Sequence, residues 1–328
     1  MILFIGLVAA FWGVWTNSLA PVSTKDQGVT IITISPGSSL KTIADLLEQR
    51  GIIKSSWAFQ LLGRVNGWGS KLQAGTYALS PSEDTTSILG KLAQGKVAQR
   101  SFTIPEGLTV VQIADRLSQQ GLINRDRFLA EAANGKFDFP YINNAISGPE
   151  RLEGYLFPDT YTIPFNANEH DIIQIMLEEF KAVYGPKEQK RTRELGLTPN
   201  QVVTIASLVE KEAKNDAERS LIASVFYNRM ARHMPLQSCA TIQYILGHPK
   251  EVLTYKDLAI PSPYNTYLHN GLPPGPIACP GKKSLLAALY PDNSPYLYFV
   301  ARGDGTHHFS TTLKEHLQAK AAIEGKQD

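Results

Sequence analysis

The first half of the chain uses one structural unit twice. The segment ITISPGSSLKTIADLLEQRGIIKSSWAF (residues 32–59) aligns with FTIPEGLTVVQIADRLSQQGLINRDRFL (residues 102–129). Each copy predicts a short strand, a turn rich in Pro and Gly, an amphipathic helix ended by a glycine, and a second helix. Because two copies are too few for a solenoid, the repeat predicts two related small α+β lobes.

A further strand and helix are predicted between the two copies. The strand covers residues 76–79, and the helix runs over residues 85–93 behind a cap at Ser82. Strand–helix–helix–strand units of this size often bind carbohydrate in exported proteins. A packing unit without a ligand is an equally good interpretation, because Trp57 and Trp68 suit a protein core as well as a sugar-stacking surface.

The chain begins with an apolar segment. Residues 1–22 contain no charged side chain, and a helix of that length reaches about 33 Å, enough to cross the core of a bilayer. We therefore expect a membrane anchor that exports the rest of the chain. A cleaved signal peptide is the competing interpretation, although no basic residue precedes the apolar run. A buried helix fits less well because the segment is apolar on all sides.

Composition argues against several classes of function. The formal net charge is +2, with acids and bases mixed along the chain, so no basic patch for nucleic acid is expected. The histidines lack the spacing of a zinc site, and no metal is predicted. The two cysteines, Cys239 and Cys279, suit either a disulfide in an exported chain or two free thiols.

A helix in the second half carries two glutamates near its end. The segment TPNQVVTIASLVEKEA (residues 198–213) begins with Thr198 as N-cap and has Gln201 three positions later, which is a capping box. A helical wheel places Glu210 and Glu212 at the two edges of the buried face. Partial burial there raises the pKa of a carboxyl toward that of a general acid. The wheel does not choose between the two glutamates, and a solvated helix edge is the alternative for both.

The segments around this helix are predicted as a second helix, long loops and a strand. The second helix covers residues 216–233, and a strand covers residues 296–300. Residues 261–290 contain so much Pro and Gly that irregular structure is expected, and such long loops are usually functional. Residues 151–164 crowd aromatic side chains around Asp159, which predicts either the wall of a groove or an aromatic core with a turn.

Six motifs of the second half, in their order, resemble those of the YceG-like family. They are LEGYLFPDTY, IASLVEKEA, RSLIASVFYNRM, MPLQS, YNTYLHNGLPPGPI and YLYFVARGDGTHHFS. The resemblance runs through nearly the whole chain and implies an α+β fold in four parts. These are a membrane anchor (residues 1–22), a LysM-like module (23–100), a second repeat-like lobe (101–148) and a mixed α/β catalytic domain (149–328).

The resemblance implies that the chain cleaves glycan strands of peptidoglycan internally and without water, leaving a 1,6-anhydro-N-acetylmuramoyl end. It implies Glu210 as the catalytic acid/base and Glu212 as a supporting residue. One carboxyl suffices because the C6 hydroxyl of the muramoyl residue attacks C1 within the same sugar, and this proximity gives a large effective molarity. No metal or organic cofactor is required.

Further site residues are predicted in the loops and in the aromatic motif. The predicted substrate contacts are Gln237, Asn265, Tyr267, Glu153, Tyr155, Asp159 and His307. Cys239 stands where some members of the family have an aspartate, and Cys279 lies in the GPI loop. Their joint presence favours a disulfide between these two loops.

Two other functions stay open on the sequence alone. A noncatalytic peptidoglycan-binding scaffold would bind glycan without making new chain ends. A hydrolase with Asp159 or Glu212 as second carboxylate would leave reducing ends. The resemblance also implies a single-pass protein of the inner (plasma) membrane with a periplasmic catalytic domain. It implies a role in limiting nascent strand length and peptidoglycan synthases as candidate partners.

Overall fold

The structure, a computed structural model, describes residues 2–142 and 145–325. In these ranges the chain combines helices with three two-stranded sheets, which confirms the predicted α+β class. The α-helices are α1 (Ile2–Leu19), α2 (Leu40–Gln49), α3 (Ser56–Val65), α4 (Thr85–Ala93), α5 (Val110–Gln119), α6 (Arg125–Asn134), α7 (Glu169–Val183), α8 (Pro186–Glu194), α9 (Pro199–Glu212), α10 (Arg219–Ala231), α11 (Cys239–Leu246), α12 (Tyr255–Leu258), α13 (Lys282–Leu289) and α14 (Leu313–Glu324). The strands are β1 (Thr30–Ile34), β2 (Gly75–Leu79), β3 (Gln99–Thr103), β4 (Thr160–Pro164), β5 (Tyr298–Ala301) and β6 (His307–Ser310). Short 3₁₀ helices cover Pro149–Leu152 and Asp216–Glu218.

The described chain divides into two compact units. The first contains the residues up to Ser101 and the segment Thr162–Ala167. The second contains Phe102–Tyr161 and the residues from Asn168 onward. The chain passes from one unit to the other within β3 and within β4, which pair as a two-stranded sheet. The division of the sequence into four parts stays a prediction.

The first unit has its own core beneath an antiparallel pair of strands. β1 pairs with β2 so that Ile32 stands opposite Tyr77. Alternate β1 residues, Ile32 and Ile34, are buried, as expected for a strand with one face on a core. The helices α2, α3 and α4 add apolar side chains at helical spacing to the same core, among them Ile43, Leu47, Phe59, Ile88 and Leu92.

The sequence repeat is confirmed in the backbone. In the first copy β1, α2 and α3 follow each other as β3, α5 and α6 do in the second. Gly37 and Gly107 have φ angles of 79° and 77°, and Gly51 and Gly121 both have 68°. Glycine enters this left-handed region without strain. The same two turns therefore use glycine at equivalent positions in both copies.

One helix cap lies two residues later than predicted. α4 covers residues 85–93 as expected, but its N-cap is Asp84, whose Oδ1 accepts the Ser87 N–H at 2.8 Å. Ser82 hydrogen-bonds with the Ser80 hydroxyl instead. The residue directly before a helix reaches the N–H three positions on, so Asp84 caps the helix where Ser82 does not.

Three elements of the second half differ from their predicted limits. The predicted helix at residues 216–233 is a 3₁₀ turn followed by α10, and the predicted strand at 296–300 is β5, two residues later at its start. The stretch 261–290, expected to be irregular, contains α13. The apolar residues of α13 repeat at helical spacing, and Leu285 and Leu289 are buried. Their burial stabilises a helix although Pro and Gly precede it.

The predicted anchor segment coincides with α1. The ring of Trp15 near its end packs edge-on against that of Trp57, with the centroids 6.0 Å apart. None of the helices in the described ranges is long and apolar enough to cross a membrane. Membrane anchoring stays a prediction from the sequence.

The second unit is built around α9, which packs against α10 and α13. All eight residues from Val202 to Val209 are buried, so the helix is enclosed over two turns. The predicted capping box begins it: Thr198 accepts the Gln201 N–H, and the Gln201 side chain accepts the Thr198 N–H. With its start fixed by the cap, α9 ends in a last turn that carries the two glutamates.

Candidate active site

The last turn of α9 sends its three charged side chains in different directions. Glu210 and Glu212 are both half-buried, whereas Lys211 is exposed. Lys211 Nζ donates to the Gly107 carbonyl at 3.1 Å. Because successive residues of a helix point about 100° apart, Glu210 and Glu212 meet different surroundings.

Glu210 lies in a network of charged and polar donors. Arg219 Nη1 donates to its Oε1 at 3.3 Å, while Ser284 Oγ and the Gly281 N–H donate to its Oε2 at 2.8 and 3.0 Å. The same guanidinium donates to Ser284 Oγ at 2.5 Å and to Asp216 Oδ1 at 2.9 Å. These donors engage both oxygens of the Glu210 carboxyl and hold the side chain in one position.

A second carboxyl, that of Glu106, lies beside this network. A Cβ at Gly281 would be 1.8 Å from Glu106 Oε1, so the carboxyl occupies the space that this glycine leaves open. Burial and the nearby charge of Glu210 raise the pKa of Glu106. The prediction missed this residue. A signal existed in the repeat, where Glu106 replaces Pro36 of the first copy in front of the shared glycine.

Glu212 has a neutral partner where Glu210 has a guanidinium. Ser238 Oγ donates to Glu212 Oε1 at 2.5 Å. Burial raises the pKa of Glu212 above its ordinary value, and the Ser238 hydrogen bond and nearby His307 offset only part of the rise. A carboxyl with a raised pKa keeps its proton closer to neutral pH, and the protonated form is the one that a general acid needs.

Two predicted substrate contacts adjoin the pair formed by Glu212 and Ser238. Gln237 precedes Ser238, its side chain is exposed, and its φ of 49° is uncommon for a residue with a side chain. Such strained positions cluster at functional sites. Tyr267 is half-buried, and its Oη shares a hydrogen bond with Cys239 Sγ at 3.1 Å. Both residues stay predicted substrate contacts.

Asn265, predicted to hold an N-acetyl group, holds the backbone of its own loop instead. The residue is fully buried. Its Nδ2 donates to the carbonyls of Leu258 and Ile260 at 3.0 and 2.9 Å, and its Oδ1 accepts the Tyr267 N–H at 2.9 Å. Both amide hydrogens are used and no surface reaches a ligand. A direct substrate contact therefore does not fit Asn265 in this structure, because its amide is already committed.

His307 is also more buried than a substrate contact requires. The residue is 7% exposed, and its ring packs edge-on against that of Phe299. Its Nδ1 donates to Glu218 Oε2 at 2.8 Å, and its N–H donates to Glu218 Oε1 at 3.1 Å. His307 lies close enough to Glu212 to lower the pKa of that carboxyl. This arrangement suits a residue that positions the site.

Glu153 lies in the wall of a cavity of about 580 Å³. It is 2% exposed, and the Val110 N–H donates to both of its oxygens, at 3.2 and 3.3 Å. Burial raises the pKa of Glu153 to about 8. The cavity has the size of pockets that bind small ligands, and Lys211 of α9 contributes to its wall.

Tyr155 and Asp159, the other two predicted substrate contacts of the aromatic motif, interact with neighbouring protein groups. Tyr155 is buried, with its ring 5.2 Å from that of Phe180, and its Oη accepts from Asn200 Nδ2 at 3.3 Å. Asp159 is exposed, and its Oδ1 accepts the Thr160 N–H at 2.6 Å. The motif thus forms an aromatic core followed by a turn, which was the alternative interpretation of this segment.

The expected disulfide is absent from the structure. Both cysteines are free thiols, with Cys239 exposed and Cys279 buried. Cys279 Sγ lies 3.9 Å from Glu153 Oε1, and its backbone N–H donates to the Leu108 carbonyl. The two side chains therefore face different partners and do not reach each other.

The arrangement offers proton transfer as its chemistry. Glu212 combines partial exposure, a raised pKa and a hydroxyl partner, while Glu210 and Arg219 supply a fixed pair of charges nearby. In the part of the chain that the structure describes, no group of three or more His, Cys, Asp or Glu residues could hold a metal ion.

Comparison with known proteins supports one family. The profile of the YceG-like family matches residues 32–322. A relative from Bacillus subtilis (strain 168), named endolytic murein transglycosylase, is 39% identical over 318 residues, which cover 92% of this chain and 87% of the relative. A relative of the same name from Streptococcus pneumoniae (strain D39) is 33% identical over 92% of this chain, and the chain spans 59% of its length.

A solved structure agrees with the family. A crystal structure of a YceG-like protein from Listeria monocytogenes matches with a TM-score of 0.60 and 36% sequence identity. The match covers 89% of this chain and 99% of that protein. Sequence and fold are thus similar to the same group of proteins.

Proposed function

Because the chain belongs to the YceG-like family, we propose that it is an endolytic transglycosylase that cleaves the glycan strands of peptidoglycan. The names of its relatives support this substrate and reaction. The environment of Glu212 carries the proposal within the structure. It is a half-buried carboxyl with a raised pKa beside a hydroxyl donor, at the end of a buried helix.

The reaction needs one group that gives a proton and takes one back. Protonated Glu212 donates to the glycosidic oxygen as the bond from that oxygen to C1 of the muramoyl residue breaks. The resulting carboxylate then accepts the proton of the C6 hydroxyl, whose oxygen forms the new bond to C1. The products are a strand with a 1,6-anhydro end and a strand with a free 4-hydroxyl, and the carboxyl regains its proton. No water enters, since the internal hydroxyl is held at high effective concentration.

We assign the proton transfer to Glu212, where the resemblance implied Glu210. A donor must be protonated, and burial raises the pKa of Glu212, whose oxygen faces the neutral Ser238 hydroxyl. Glu210 instead accepts from the Arg219 guanidinium, the Ser284 hydroxyl and the Gly281 N–H, so both of its oxygens are already engaged by the protein. We propose that Glu210 fixes the position of Arg219 and of the loop at Gly281.

Matched amide substitutions separate the two assignments. Glu212→Gln keeps the size of the side chain and removes its proton, so we expect the rate of cleavage to fall at least about 100-fold with binding of glycan retained. Glu210→Gln removes a charge beside Arg219, so we expect lower stability and a smaller loss of rate. The measurement is mass spectrometry of the fragments released from purified peptidoglycan, with thermal unfolding of each variant recorded in parallel.

Other results of this experiment would support other functions. A folded Glu210→Gln variant that is inactive beside an active Glu212→Gln variant would return the role to Glu210. Reducing ends in place of anhydro ends would mean a hydrolase. Binding of glycan by the wild-type chain without any new ends would favour a scaffold.

We further propose that residues 1–22 attach the protein to the inner membrane, with the catalytic domain on its outer side. The support is the absence of charged residues from this segment. We also infer that the LysM-like module binds glycan, and that cleavage beside peptidoglycan synthases limits the length of nascent strands. Fractionation of cells after alkaline washing tests the attachment, and recovery of the full-length chain in the soluble fraction would reject it.

A further inference from the structure

The cavity of about 580 Å³ has no role in the proton transfer. Its wall includes residues from α5, α9 and α11 and from the loop before α13. Lys211 lies between the two glutamates in sequence, and Ala240 lies two positions after Ser238, the partner of Glu212. The wall of the cavity therefore includes chain neighbours of Glu212 and of Ser238.

One of two buried polar groups in its wall has no partner in the described part of the protein. Tyr264 Oη is buried and has no hydrogen-bond partner among the described residues. Glu153 takes the Val110 N–H on its two oxygens, while the Tyr244 hydroxyl is 3.5 Å away. Buried polar groups normally have partners, and Tyr264 lines the cavity, so a small turn of this side chain toward a bound ligand would give its hydroxyl a partner.

The remaining wall combines apolar side chains with charges of both signs. Ile146, Ile245 and Ile277 are apolar, whereas Glu150, Lys211 and His248 carry or can gain charge. A neutral sugar would leave these charged groups without a counterpart. A short peptide with methyl side chains, carboxylates and an amine matches both kinds of wall.

We propose that this cavity binds the peptide stem attached to the muramoyl residue at the site of cleavage, with the Tyr264 hydroxyl donating to a peptide carbonyl of the stem. The inference rests on the proposed transglycosylase function. Binding of the stem beside Lys211 fixes which glycosidic bond lies next to Glu212. The enzyme accordingly prefers strands that carry stems over strands that lack them.

The test compares two substrates and four proteins. The substrates are glycan strands with their stems and the same strands stripped of stems by an amidase. The proteins are the full-length wild type, Tyr264→Phe, the cavity-filling variant Val111→Trp, and the control Tyr255→Phe, which removes a hydroxyl from a tyrosine that is 92% exposed. Initial rates of anhydro-end formation and binding of each strand are both measured, and circular dichroism checks the fold.

We expect the wild type to cleave stem-bearing strands faster. Loss of one hydrogen bond to the ligand should lower the ratio of the two kcat/KM values about threefold to tenfold in Tyr264→Phe. Val111→Trp should lower the ratio further, because the indole fills the cavity. Tyr255→Phe should keep the wild-type ratio.

Equal rates of the wild type on both substrates would overturn the proposal. So would variants that slow both substrates in parallel, which would indicate a sugar subsite or a structural role. If no protein forms anhydro ends, the proposed function fails. The binding measurements then test the cavity by themselves, since a stem pocket predicts tighter binding of stem-bearing strands by the wild type than by Val111→Trp.

Discussion

Glu210 and Glu212 differ by two positions and by a change of environment. Both leave the same helical turn, yet Arg219, Ser284 and Gly281 surround the first, while Ser238 meets the second. The chemistry of a carboxyl follows from its partners, because a cation stabilises the charge and burial opposes it. The same residue type therefore meets a cation at one position and a neutral hydroxyl at the other, which is the basis for the proposed proton transfer by Glu212.

Glu153 should make the stability of the protein depend on pH. Its pKa is about 8 in the folded protein, against an ordinary value of 4.5. Between these two values the folded state holds a proton that the unfolded state has released, so the free energy of unfolding falls as pH rises. The contribution is complete below about pH 4.5 and lost above about pH 8, and it amounts to at most about 5 kcal/mol.

The amide variant Glu153→Gln cannot ionise, so we expect it to lose this part of the slope. Urea unfolding at several values between about pH 5 and pH 8 measures the effect. Glu251→Gln is the matched control, because Glu251 is exposed and its substitution should keep the wild-type slope. A slope in Glu153→Gln equal to that of the wild type would show that Glu153 is charged in the folded protein.

At the scale of helices and strands, the features predicted correctly are those set by residues close together in the sequence. The capping box at Thr198 and the paired glycines of the repeat act within a few residues, and they are confirmed. The helix α13 was not predicted, because Pro280 and Gly281 directly before it favoured irregular structure over a short apolar helix.

Much of the site could not be read from local pattern. The wheel placed both glutamates at an edge of the buried face, which is confirmed by their partial burial. It could not supply their partners, because Ser284 is 74 positions from Glu210 and Ser238 is 26 positions from Glu212. Asn265 shows the same limit. Its amide donates to two backbone carbonyls of its own loop, and no pattern in the sequence indicates that arrangement.

A pair of glycine substitutions can separate backbone strain from packing. Gly154 has a φ of 86°, and a Cβ there would lie 2.6 Å from the Pro276 ring and 2.7 Å from Val203 Cγ1. Gly121 has a similar φ of 68° with nothing within 4 Å. We expect Gly121→Ala to cost about 1 kcal/mol of unfolding free energy, from the left-handed backbone alone. Gly154→Ala should cost a further 1–3 kcal/mol, roughly the usual penalty of overpacking.

Chemical denaturation of the two alanine variants gives this difference directly. The segment after Gly154 enters the aromatic core, so a shift of its backbone should also alter the near-ultraviolet circular dichroism. Equal losses for the two variants would mean that Pro276 and Val203 move aside at little cost, and that the close approach at Gly154 is not required.

At the scale of the whole molecule, the proposed chemistry belongs to one unit. Glu106, Glu210, Glu212 and Ser238 all lie in the second unit. This includes the second copy of the repeat, which contributes Glu106 and the Gly107 carbonyl that receives Lys211. The first copy has its own core in the first unit. One duplicated element thus serves as part of a site in one copy and as part of a separate compact unit in the other.

A chain that begins at Gln99 should therefore retain the chemistry. Removing residues 1–98 deletes the core of the first unit, while β3 and the residues of the site stay in place. We expect a kcat on short glycan strands close to that of the full chain. The KM on long strands should rise several-fold because the LysM-like module, proposed to bind glycan, is absent.

Thermal unfolding must first show a cooperative transition, since Thr162–Ala167 would lose its partners in the first unit. A folded fragment with an unchanged KM on long strands would show that the first unit does not bind glycan. A folded fragment without activity would show that the second unit does not hold the whole site.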